Sequence, residues 1–80
     1  MKSDAPAPYR ICVYGSLDAR WSGYLANMQI APLTSGEHTG AVLYGEVADQ
    51  SELLGILNTL NMLGLSLVRV ECMSLAHPIA

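Results

Sequence analysis

Apolar and polar side chains alternate from Tyr9 onward: Tyr9, Ile11 and Val13 point one way, while Arg10, Cys12 and Tyr14 point the other. That period of two is the signature of a half-buried strand. Gly15-Ser16 ends it with a turn, and the spacing then becomes helical through Leu17, Trp21, Tyr24, Leu25 and Met28. Asp18 suits the positive end of a helix dipole, whereas Gly23 weakens the segment by about 1 kcal/mol relative to Ala. The pattern predicts a short helix over about 18–26, held mainly by Trp21 against a sheet. A short second strand follows from Met28 to Leu33, with Pro32 placed at an edge or at the strand's end because it cannot donate to a ladder. Thr34 to Gly40 reads as a polar hairpin loop longer than the tightest types. Ala41 to Val47 reads as a third strand, with Val42 and Tyr44 on one face and Ala41, Leu43 and Val47 on the other.

The best-marked element comes next. Asp49 is a good N-cap, and Glu52 stands three residues later in a capping-box position. Leu53, Leu54, Ile56, Leu57, Leu60 and Leu63 give a wide apolar stripe, and Gly64 with Leu65 matches a left-handed C-cap and its apolar contact. A helix over about 50–63 is predicted, then a fourth strand from Leu67 to Met73. Residues 1–8, with Ala5-Pro6-Ala7-Pro8, read as a flexible tail before a single 9–73 domain, and 74–80 as a second tail containing Pro78. The order β-α-β-β-α-β predicts an α+β, ferredoxin-like domain, in which right-handed crossovers interleave four strands into an antiparallel sheet. The expected order is fourth, first, third, second, with two helices on one face and nothing on the other.

Composition changes this picture in one respect. At 80 residues the chain has room for one domain, and 51% of it is apolar against 14% charged. A domain of this size buries only about 60–65% of the surface its unfolded chain exposes, so some apolar surface is expected to remain for a partner, most simply another copy. Four Lys/Arg stand against seven Asp/Glu, and Lys2, Arg10, Arg20 and Arg69 are scattered. Clustered cations are what neutralise phosphates, so no nucleic-acid partner is expected. No basic amphipathic segment suits a membrane surface, and no apolar run reaches the roughly 20 residues a spanning helix needs. Lys2 has no apolar stretch after it, so no signal peptide is predicted and a cytoplasmic location is the default.

Three stretches, Tyr9 to Leu25, Leu43 to Asn58 and Leu63 to Val70, together resemble a family of small uncharacterised bacterial proteins. Leu17-Asp18 with Arg20-Trp21, and Asp49-Gln50 before the long helix, are its more specific pieces. The resemblance spans roughly residues 9–73 and implies a compact stand-alone module; it implies no activity and transfers no site.

Candidate chemistry is sparse. Cys12 and Cys72 are too few and too far apart for a zinc site or a disulfide framework, although neighbouring strands would let two thiols meet. His38 and His77 lack sequence partners for a metal or for acid–base work. No nucleophile–base pair or phosphate loop can be assembled, so no catalytic residue, no metal and no cofactor are expected, and the chain reads as not an enzyme. The uncovered sheet face is more informative. There Cys12 and Tyr14 of the first strand adjoin Val42 and Tyr44 of the third, a partly apolar platform suited to protein contact. These four residues are the expected interface of a homo-oligomeric module that associates through that face or an edge strand. The alternative is a regulatory domain sensing a small-molecule effector where two copies meet, with Gly15, Ser16 and Asp18 and the polar loop 34–40 on the rim.

Overall fold

The computed structural model describes residues 6–73. Four strands, β1 (Ala7–Tyr14), β2 (Gln29–Ser35), β3 (His38–Val47) and β4 (Ser66–Cys72), form one antiparallel sheet in the order β2-β3-β1-β4. One long helix, α1 (Gln50–Met62), joins β3 to β4. The class is therefore α+β.

Strand β1 buries alternate residues as a sheet covered on one side requires, whereas β3 also buries Gly40 and Val42 on the opposite face. Tyr9, Ile11 and Val13 of β1, and Ala41, Leu43 and Val47 of β3, are buried and pack with Ile56 and Leu60 of α1. The helix earns its place through its ends. Asp49 accepts a hydrogen bond from the Glu52 N–H at 2.9 Å, and the Glu52 carboxylate accepts from Ala48 N–H at 2.8 Å, one residue upstream of the usual capping-box partner. At the other end Gly64 takes φ +83°, its N–H reaches Asn61 O, and Leu65 N–H reaches Leu60 O. Those two bonds are the Schellman pair, which needs a residue tolerant of the left-handed region. Leu54 turns outward, so the apolar stripe is narrower than its sequence suggested.

Three sequence expectations need correction. The first crossover is not an α-helix but a six-residue 3₁₀ helix, Ala19–Tyr24, so the sheet carries one long helix rather than two. Gly23 and two consecutive left-handed residues, Ala26 (φ 56°) and Asn27 (φ 58°), stop any longer helix. Three residues per turn set Trp21 and Tyr24 on one edge, where their rings meet at 5.3 Å facing outward, and Leu25 and Met28 take the fully buried positions instead.

The second correction concerns the hairpin. Instead of the predicted 34–40 loop, β2 and β3 run on until Ser35 faces His38, leaving only Gly36-Glu37 between them. Gly36 has φ +62° and Glu37 has none of the positive-φ geometry, the type II′ pattern that places Gly first. Third, β1 starts at Ala7, not Tyr9: Ala7 is buried opposite Val47, and Pro8 O accepts from Met73 N–H at 2.7 Å. Residues 1–5 of the first expected tail and all of the second, including His77 and Pro78, lie outside the described residues. Among the described residues no helix is long and apolar enough to cross a membrane.

Candidate functional site

On the face away from α1, register fixes which side chains meet. Cys12 opposes Val42 and Arg10 opposes Tyr44 across β1 and β3, Leu33 opposes Gly40, and Cys12 opposes Arg69 across β1 and β4. A bulge follows: the next pair is Val13 with Leu67, so Val68 has no opposite number. Such an extra residue increases local twist and re-aims side chains. The result is a concavity of about 450 Å³ that includes all four expected interface residues, Cys12, Tyr14, Val42 and Tyr44. Of these four, Val42 and Cys12 are the more buried, while Tyr14 and Tyr44 stand exposed. Leu33, Val68 and Arg69 also line it. The sequence reading missed these three. Period two from Ala31, which opposes Val42, leads to Leu33, but Val68 joins this face only through a bulge that no local pattern announces.

The borders are polar. Tyr14 stacks on His38 with ring centroids 5.5 Å apart, so His38 packs at the start of β3 rather than standing alone in a loop. Towards the other end, Arg10 Nε donates to Glu71 Oε1 at 2.9 Å and its Nη2 donates to the same oxygen. Those hydrogen bonds, and then the carboxylate's charge, push Arg10 above the ordinary guanidinium range. Arg69 Nη1 lies 3.8 Å from the other Glu71 oxygen. Two arginines therefore share one carboxylate along β4.

The cysteines are kept apart by the same register. Cys12 faces the concavity opposite Arg69, whereas Cys72 opposes Tyr9 on the helix-covered side, and both thiols are free. The Tyr9 phenol is pushed up by burial first and by Cys72 second. Among the described residues no three His, Cys, Asp or Glu side chains gather as a metal ion requires.

Of the rim expected for an effector, Gly15, Ser16 and Asp18 do not line the concavity, whereas Ser35 of the 34–40 segment does. Gly15 N–H bonds Thr39 O at 2.8 Å, and a Cβ at this position would fall 2.5 Å from Leu65 Cδ2. Asp18 caps the 3₁₀ helix: Oδ1 accepts from Arg20 N–H at 2.9 Å and Oδ2 from Arg20 Nε at 3.0 Å. Its carboxyl is held below its usual value, chiefly by the backbone bond and next by the guanidinium.

No curated protein and no solved structure matches the chain. A family described as Domain of unknown function (DUF8691) matches residues 8–71, from the second residue of β1 to the last but one of β4. That span takes in every element described above, and the chain belongs to this family.

Proposed function

We propose that this chain is a non-enzymatic assembly module whose copies associate through the helix-free sheet face, with Cys12, Tyr14, Val42 and Tyr44 in the contact. One observation carries the reading. Four large apolar or aromatic side chains on that face, Leu33, Tyr14, Tyr44 and Val68, are 44%, 51%, 43% and 50% exposed around a single concavity. Side chains of this kind make the fully buried centre of protein contacts, and a tyrosine buries a large ring while its hydroxyl keeps a hydrogen-bond partner. The strand order and the single covered face support reading the fold as a reduced ferredoxin-like unit, its first helix replaced by the 3₁₀ segment. In such a unit a second copy supplies the layer that the sheet lacks.

Size-exclusion chromatography with light scattering tests this directly. At micromolar concentration the wild-type chain is expected to run as more than one copy. Tyr44→Asp places a charge in the contact and is expected to lower that mass while leaving the circular dichroism spectrum intact. A wild-type monomer overturns the reading.

A further inference from the structure

Both edges of the sheet present free backbone groups, but they are not equivalent. In an antiparallel strand the N–H and C=O of one residue point to the same side, and successive residues alternate. Gly15 N–H reaches Thr39 O, which turns the odd-numbered residues of β3 toward β1 and the even-numbered ones toward β2. Pro32 opposes Ala41, so its ring nitrogen looks outward from β2. The β2 edge therefore lacks a donor near its middle, a known device against strand addition. On β4 the Met73 N–H points inward to Pro8 O, as do the groups of Glu71 opposite Arg10 and of Arg69 opposite Cys12. Val70, lying between Arg69 and Glu71, thus turns its N–H and C=O outward, and Cys72 does the same. No proline interrupts β4, and Leu67 and Val68 at its start are about half exposed.

We infer that β4 is a second self-association edge, pairing antiparallel with β4 of another copy about a two-fold axis at Val70. In that register each Val70 N–H donates to the Val70 carbonyl of the partner subunit. Arg69 then sits directly opposite Glu71 of the partner subunit, and Glu71 opposite the partner's Arg69. All four lie on the helix-free side, because Arg69 and Glu71 oppose Cys12 and Arg10 there. A register shifted by two residues loses this match, since it sets Arg69 against Arg69 or Glu71 against Glu71. Charge complementarity selects both the occupant, a second copy, and the register. The bulge at Val68 limits the pairing to the straight end of the strand and leaves the apolar concavity clear of it. The inference rests on the self-association proposed above and adds a contact independent of the sheet face.

The test uses full-length chain carrying Tyr44→Asp, which removes the face contact and is expected to leave edge-paired dimers. Adding Arg69→Glu, or separately Glu71→Arg, sets like charges opposite each other at both symmetry-related pairs. Each is expected to weaken the dimer about tenfold or more. Mixing the two variants restores complementary charges and is expected to regenerate a two-copy species by light scattering. Amide hydrogen exchange supplies a readout that survives if Glu71→Arg folds poorly: the Val70 N–H should be protected in Tyr44→Asp and exchange fast after Arg69→Glu. If Tyr44→Asp is already monomeric, the edge is overturned and the face reading stands. If Tyr44→Asp keeps the wild-type mass, the face reading fails and the edge holds, provided the charge variants dissociate. Charge variants that remain paired overturn the register, and a monomeric wild type removes both.

Discussion

Asp18 commits both carboxylate oxygens to Arg20, one to its backbone N–H and one to its guanidinium. The carboxyl is therefore easier to ionise in the folded chain than in the unfolded one, where its value is near 3.9. A depressed carboxyl contributes stability that is complete above the unfolded value and is lost as pH falls through the folded one. The group is solvent-exposed, so the contribution is small, but its sign is fixed. Urea midpoints measured from about pH 5 down to about pH 2 should fall less steeply for Asp18→Asn than for the wild type, with the two curves converging at the acid end. Parallel curves would mean that the cap does not distinguish the ionised carboxyl from the amide. At the start of α1, Asp49 and Glu52 each give a carboxylate oxygen to a backbone N–H, that of Glu52 and that of Ala48.

At the scale of elements, the 3₁₀ segment makes the sharpest distinction between two apolar residues that look alike in sequence. Leu25 is fully buried and Trp21 is 37% exposed. Leu25→Ala should cost about 2–5 kcal/mol through the cavity it leaves, and Trp21→Ala clearly less, because the indole packs on Tyr24 rather than in the core. Chemical denaturation of the two variants checks the order; a larger loss at Trp21 would restore the α-helix that the spacing suggests. The difference shows where the sequence was informative. Strands β1 and β3 and helix α1 were legible because period, cap and breaker agree: Asp49 and Glu52 start what Gly64 stops. The crossover was not, since Leu17, Trp21, Tyr24, Leu25 and Met28 satisfy helical spacing, and the left-handed backbone of Ala26 is a state that alanine does not advertise. The hairpin misled for the converse reason: Ser, Thr and His are polar enough to read as loop, yet pair across a II′ turn. Of the candidate site, alternation gave Cys12, Tyr14, Val42 and Tyr44, whereas Val68 depends on a bulge created by two strands meeting out of step.

At the scale of the molecule, one helix of thirteen residues and a six-residue 3₁₀ segment accompany a four-stranded sheet, in a chain that is half apolar. A layer of helices on one face leaves the opposite face to water or to a partner, and the stability of so small a domain then depends on which it meets. If copies associate only when folded, unfolding releases more free particles than it consumes, and mass action moves the midpoint with concentration. The thermal midpoint of the wild type should accordingly rise by on the order of a few degrees for each tenfold increase in chain concentration. Tyr44→Asp combined with Arg69→Glu, which removes both proposed contacts, should show a midpoint independent of concentration and lower than that of the wild type at high concentration. The comparison separates two origins of stability: a wild-type midpoint that does not move would place the whole of it in Ile11, Leu43, Leu60 and their neighbours, and a moving one would place part of it across copies.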